Sequence, residues 1–152
     1  MARAVSFSAR RIGPILLVDD YEDARLTVRE ALESAGYVVV EAKDGQQALS
    51  LLVSRPDLPV SLIVLDLQMP VMDGWRLLEL LRCYVGLAKI PVIVASSHEL
   101  LPERTRHPAI FGCIRAPYKL EELIDMVDSC MAGGSRSEAP ASPAQGKTRG
   151  PA

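Results

Sequence analysis

Asp19 and Asp20 end one short apolar run of this chain, Asp66 ends another, and Ser96 with Ser97 ends a third. Carboxylates that converge raise each other's pKa values, so a site built from them normally carries a cation. Mg2+ suits such a site, because it takes hard oxygen ligands, retains waters and commonly bridges one or two carboxylates to a phosphate. Any one of these aspartates alone is more simply a turn former or a helix cap. For the pair, the alternative is that only one of Asp19 and Asp20 faces the site while the other points into solvent.

Five apolar runs would hold these residues: Ile15 to Val18, Val38 to Val40, Leu62 to Leu65, Val92 to Ala95 and Ile110 to Ile114. Each has the length of a strand buried on both faces. Between the first two, Ala24, Val28, Ala31, Leu32 and Ala35 form one helical stripe, and Gly36 supplies a stop. Asp44 with Gln47 three residues later resembles a capping box ahead of Ala48, Leu51 and Leu52. Asp73 can cap a third helix carrying Trp75, Leu77, Leu78, Leu81 and Tyr84, and Leu120, Leu123, Ile124 and Val127 make the clearest stripe of all. Pro102 and Pro108 interrupt the stretch from His98 to Ala109, so a fourth helix there is short or irregular.

The alternation predicts an α/β fold, a doubly wound five-stranded parallel sheet with helices on both faces. In such sheets the functional crevice lies beyond the carboxyl ends of the strands, where Asp19, Asp20, Asp66 and Ser96 fall. The domain is expected over residues 12–131. A flexible segment, 1–11, precedes it, and a disordered tail, 132–152, follows: from Gly133 onward the sequence has no Val, Ile, Leu or aromatic residue.

Composition narrows the possible functions. The 152 residues are 49% hydrophobic and 24% charged with a formal net charge of −2, enough apolar content for one core and no basic excess for direct nucleic-acid binding. No apolar run approaches the roughly 20 residues that cross a bilayer, and no export signal is evident, so no membrane insertion and a cytoplasmic location are expected. Cys83, Cys113 and Cys130 lack the spacing of a zinc site or a disulfide framework and read as reduced, mostly buried thiols.

Three segments together resemble the receiver domains of two-component response regulators: Ile15-Leu-Leu-Val-Asp-Asp20, Leu65-Asp-Leu-Gln-Met-Pro-Val-Met-Asp-Gly74, and Pro91-Val-Ile-Val-Ala-Ser96. The resemblance covers roughly Ile12 to Met131. It implies the flavodoxin-like strand order 2-1-3-4-5. Asp66 would be the phosphoacceptor, Ser96 would contact a phosphoryl oxygen, and Mg2+ would be held by Asp19, Asp20, Asp66 and the backbone carbonyl of Gln68, with Asp20 a more direct ligand than Asp19. The implied partners are a histidine kinase or phosphotransfer protein upstream and a protein target downstream. Pro70, Asp73 and Gly74 would shape the site, and Tyr21 would shield part of it.

Two positions depart from the family. Its usual lysine before the proline after the fifth strand is Ala116, and its usual aromatic three residues earlier is Cys113. Alanine offers no donor to a phosphoryl group. Arg115 should point to the opposite face and Lys119 lies beyond Pro117, so neither is an obvious replacement, while Phe111 shares a face with Cys113 if alternation holds. The leading expectation is a stand-alone receiver that accepts a phosphoryl group on Asp66 and signals through protein contacts. The alternative is a pseudo-receiver, a protein-interaction module independent of phosphorylation. A hydrolase on the same fold lacks a nucleophile elbow or P-loop.

Overall fold

A computed structural model describes residues 13–97 and 106–133. Strands and helices alternate: β1 (Ile15–Val18), α1 (Glu22–Ser34), β2 (Val39–Ala42), α2 (Gly45–Ser54), β3 (Leu62–Leu65), α3 (Gly74–Leu81), β4 (Val92–Ser96), β5 (Ile110–Arg115) and α4 (Leu120–Met131). All strand pairs are parallel, and the sheet order is β2-β1-β3-β4-β5. This is the expected order. The readings of residues 1–11, of the tail from 134 and of most of the stretch from His98 to Ala109 lie outside the described residues.

Period-two alternation along the central strands splits the core into two layers. Leu16, Val18, Ile63, Leu65, Val92 and Val94 pack with the α2 and α3 residues Ala48, Leu52, Leu77, Leu78 and Leu81. Ile15, Leu17, Leu62, Val64 and Ile93 pack on the other face with Val28 and Leu32 of α1 and Leu123 and Val127 of α4. Two buried faces explain why β1 and β3 read as unbroken apolar runs, and their rigid ends carry the aspartates.

The helix ends follow local chemistry. Gly36 has φ +99°, the left-handed geometry that stops α1 at little steric cost. Asp44 caps α2 by accepting from the Gln47 amide at 2.8 Å, while the Gln47 side chain accepts from Lys43 N at 2.7 Å, one residue earlier than in a standard capping box. Asp73 caps α3 by accepting from Arg76 N at 2.9 Å.

Four expectations need correction. The second strand is a half-buried edge running from Val39 to Ala42, with Val38 67% exposed: it contains Glu41, whose charge is satisfied by arginines and so hid the strand from an apolar pattern. Tyr84 lies beyond the end of α3. Cys83 is exposed and only Cys113 and Cys130 are half-buried. Phe111 and Cys113 do not share a face: a register shift between Val92 and Ile93 breaks the alternation of β5, so Phe111 packs toward α1 and α4 and Cys113 toward α2 and α3.

Candidate functional site

The carboxyl ends of β1 and β3 bring Asp19, Asp20 and Asp66 together, with one oxygen from each lying within 4.8 Å of the others. Backbone pairing fixes those ends: Asp66 N donates to Val18 O at 3.0 Å, and Asp19 N donates to Ala42 O at 3.2 Å. Asp19 and Asp66 are half-buried, and Asp20 is exposed. Ser96, at the end of β4, is buried and donates to the Asp66 carboxylate, whereas Ser97 is exposed. Gln68 N approaches the same carboxylate at a long 3.4 Å.

The electrostatics follow from this crowding. Burial, then the neighbouring charge of Asp19, pushes the Asp66 carboxyl up to about 6, against the hydrogen bonds from Gln68 and Ser96 and with a smaller push from Asp20. Asp19 is also raised, mainly by burial, although its Oδ1 accepts from Tyr21 N at 2.9 Å. Among the described residues the Asp20 carboxylate has no hydrogen-bond partner, and it lines a groove with Gln68, Met69, Pro70, Asp73 and Trp75. Three hard anionic oxygens within 4.8 Å of one another, one of them uncommitted, fit Mg2+.

The loop after β3 is held tightly. A Cβ on Gly74 would lie 2.6 Å from the Asp66 carbonyl oxygen, so only glycine lets α3 begin so close to the nucleophilic candidate. Met72 N donates to Pro70 O at 2.7 Å around Val71, whose φ of 68° is rare for a β-branched residue. Gly45 N donates to Met72 O at 3.1 Å and ties this loop to α2. Pro70, Asp73 and Gly74 therefore shape the site. Trp75, on α3, is half-buried against the α2 and α3 core, and Tyr21 is 64% exposed at the rim.

Two neighbours of the site were not legible as such. Arg25 donates through Nη1 to the Asp19 carbonyl at 2.8 Å and through Nε to Glu41 at 2.9 Å, while Arg29 donates to the other Glu41 oxygen at 2.6 Å. Those contacts hold the Glu41 carboxyl below its ordinary range, the Arg29 bond contributing most. Tyr118 is the other: its half-buried phenol is raised first by burial and then by the charges of Asp19 and Asp66. Ala116 N donates to Ser96 O at 2.9 Å, which ties the end of β5 to β4, and Arg115 and Lys119 are exposed.

The sequence profile of the response regulator receiver domain matches residues 15–128. This chain belongs to the response regulator receiver family. It is 33% identical over 133 residues to the response regulator MprA of Mycobacterium sp. (strain KMS), a match covering 86% of this chain and 55% of that protein. The receiver thus spans about half the length of that curated relative. Solved structures agree: it is similar to the chemotaxis protein CheY4 of Vibrio cholerae, at 27% identity and TM-score 0.67 over 77% of this chain and 97% of that one. A Francisella response-regulator receiver domain matches at 26% identity and TM-score 0.71 over 80% of this chain and 98% of that one. Receivers are signalling domains of two-component systems, and none of the helices among the described residues is long and apolar enough to cross a membrane.

Proposed function

We propose that this receiver accepts a phosphoryl group on Asp66 from a histidine kinase or a phosphotransfer protein and passes the signal on through protein contacts, in the cytoplasm. The observation that carries the reading is the half-buried Asp66, crowded by Asp19 and Asp20, with a carboxyl raised to about 6 and a donor hydroxyl from buried Ser96. At neutral pH that carboxylate is ionised yet more basic than an ordinary aspartate, which favours attack on phosphorus.

In the step, an Asp66 Oδ forms a bond to phosphorus while the bond from phosphorus to the donor breaks. The electron pair leaves with the donor, as histidine imidazole in a protein or acetate from acetyl phosphate. Ser96, which donates to the Asp66 carboxylate, would donate to a phosphoryl oxygen, and Asp19, Asp20, Asp66 and the Gln68 carbonyl would hold Mg2+. The cation, when bound, supplies positive charge against the carboxylates and the phosphoryl oxygens. Any catalysis is confined to the domain's own phosphotransfer and dephosphorylation.

The second reading is a pseudo-receiver that binds its partner without phosphorylation. It is favoured by Ala116, where the family resemblance places lysine, and by Cys113 in place of the aromatic. Intact-mass measurement after incubation with acetyl phosphate and Mg2+ separates the two. A single added phosphoryl group on the parent, absent from Asp66→Asn, supports the phosphoacceptor; no addition to the parent supports the pseudo-receiver.

A further inference from the structure

The acid pair sits on a turn that the chain grips from both sides. Asp19 N donates to Ala42 O at 3.2 Å, so the edge strand β2 holds the peptide before Asp19. The peptide after it is held from α1, where Arg25 Nη1 donates to the Asp19 carbonyl at 2.8 Å. A peptide unit is planar, so the bond to that carbonyl also fixes the plane carrying Asp20 N and Cα. Asp20 is exposed, and among the described residues its carboxylate has no hydrogen-bond partner. With no side-chain tether, its place within 4.8 Å of the Asp19 and Asp66 oxygens is set through the backbone.

Arg25 can hold that peptide because Glu41 fixes its guanidinium. Arg25 Nε donates to Glu41 Oε1 at 2.9 Å, and Arg29, one turn further along α1, donates to Oε2 at 2.6 Å. The Arg25 side chain is only 16% exposed, so water competes little for these bonds. A planar guanidinium suits the task, because its rigid fork serves two acceptors at once. Among the described residues neither bond of Arg25 goes to a carboxylate of the acid cluster. Its charge is spent on Glu41, and the Asp20 carboxylate stays free for a cation.

We propose that Arg25, anchored on Glu41, is a positioning residue for Mg2+: it holds the peptide between Asp19 and Asp20 so that the Asp20 carboxylate stays beside those of Asp19 and Asp66. The inference rests on the reading of these carboxylates as the Mg2+ ligands. Mg2+ demands near-ideal octahedral geometry whereas Ca2+ accepts a looser shell, so a ligand that wanders costs the smaller ion more. A role through charge alone would act with the opposite sign, because a guanidinium near the site repels a cation.

Titration of the full chain with Mg2+ and, separately, with Ca2+, followed by backbone NMR, tests this. Arg25→Gln removes the charge and the fork, and Arg25→Lys keeps the charge without the planar fork that spans Glu41 and the Asp19 carbonyl. Each should weaken Mg2+ binding about tenfold, the scale on which metal sites lose affinity when a ligand loses its orienting partner. Ca2+ binding should fall less, about twofold. Adding Arg25→Gln to Asp20→Ala should cost nothing further, since Arg25 acts through Asp20. Parent-like or tighter Mg2+ binding in the two variants, an equal loss of both ions, or a further loss in the Asp20→Ala background would overturn the role of Arg25 and leave the acid cluster as the site. If the parent bound neither Mg2+ nor, in its presence, beryllofluoride, a stable mimic of the phosphoryl group, the reading of the cluster would fall and this one with it.

Discussion

The two halves of the site differ in how they handle charge. On the β1 and β3 side, Asp19, Asp20 and Asp66 crowd negative charge into a partly buried corner and raise the Asp66 carboxyl to about 6. On the β5 side the strand ends at Arg115 and is followed by Ala116, which offers no donor side chain, with half-buried Cys113 behind it. In the proposed phosphoacceptor reading, gathering a nucleophile and a cation needs only the first half. Sensing the product would draw on the second, because a ligand shifts a conformational equilibrium only through its differential contacts with the two states. On that reading acceptance and readout would vary separately.

The largest effect expected from breaking this contrast is on the acidic half. Asp20→Ala removes the uncommitted carboxylate at the groove and should weaken Mg2+ binding by about tenfold or more, since a direct contact to a charged group is worth on the order of 1.5–3 kcal/mol. Asp19→Ala should have a smaller effect, because one Asp19 oxygen is already engaged by Tyr21 N. Metal titration followed by NMR compares them. Parent-like binding by Asp20→Ala would place the cation elsewhere.

The readout half should respond next. Ala116→Lys adds a charge-assisted contact to the phosphoryl mimic, again on the order of 1.5–3 kcal/mol when fully formed. Beryllofluoride should then produce larger backbone shifts between Ser96 and Tyr118 in Ala116→Lys than in the parent. Equal and large shifts in both proteins would mean that the β5 side is already complete.

A smaller effect, on stability, reads the burial of Asp66 and then the charge crowded against it. The Asp66 carboxyl is raised from its ordinary 3.8 to about 6 in the folded state. A raised carboxyl binds its proton more tightly when folded, so its contribution is favourable below about pH 4 and is lost as pH rises through about 6. For a fully buried group this shift would be worth about 3 kcal/mol, and partial exposure with solvent screening brings it to about 1 kcal/mol. Asp66→Asn, without Mg2+, should therefore be more stable than the parent by about 1 kcal/mol at pH 8, with the gain fading toward pH 4. Urea unfolding at both pH values checks this, and a gain that grows on acidification would contradict it.

How far the sequence revealed these halves differs in the same way. Asp19, Asp20, Asp66 and Ser96 stand at the ends of strands in the middle of the sheet, whose two buried faces leave unbroken apolar runs. Their convergence at one edge then follows from parallel topology. The β5 side was harder to read, because the register shift at Val92 and Ile93 puts Phe111 and Cys113 on opposite faces and local alternation cannot reveal a bulge. Arg25 reaches Glu41 only through the placement of an edge strand that is neither fully apolar nor fully buried. Tyr118 follows a proline in a loop, where no periodicity says which way a ring turns.

The most direct test of the central claim is to find the modified atom. Borohydride reduces an aspartyl phosphate to homoserine, so the protein is phosphorylated with acetyl phosphate and Mg2+, reduced, digested and mapped by mass spectrometry. The account expects homoserine at position 66 alone, none when Mg2+ is chelated, and none in Asp66→Asn. Homoserine at position 19, 20 or 73 in the parent, or equal conversion after Asp66→Asn, would contradict it.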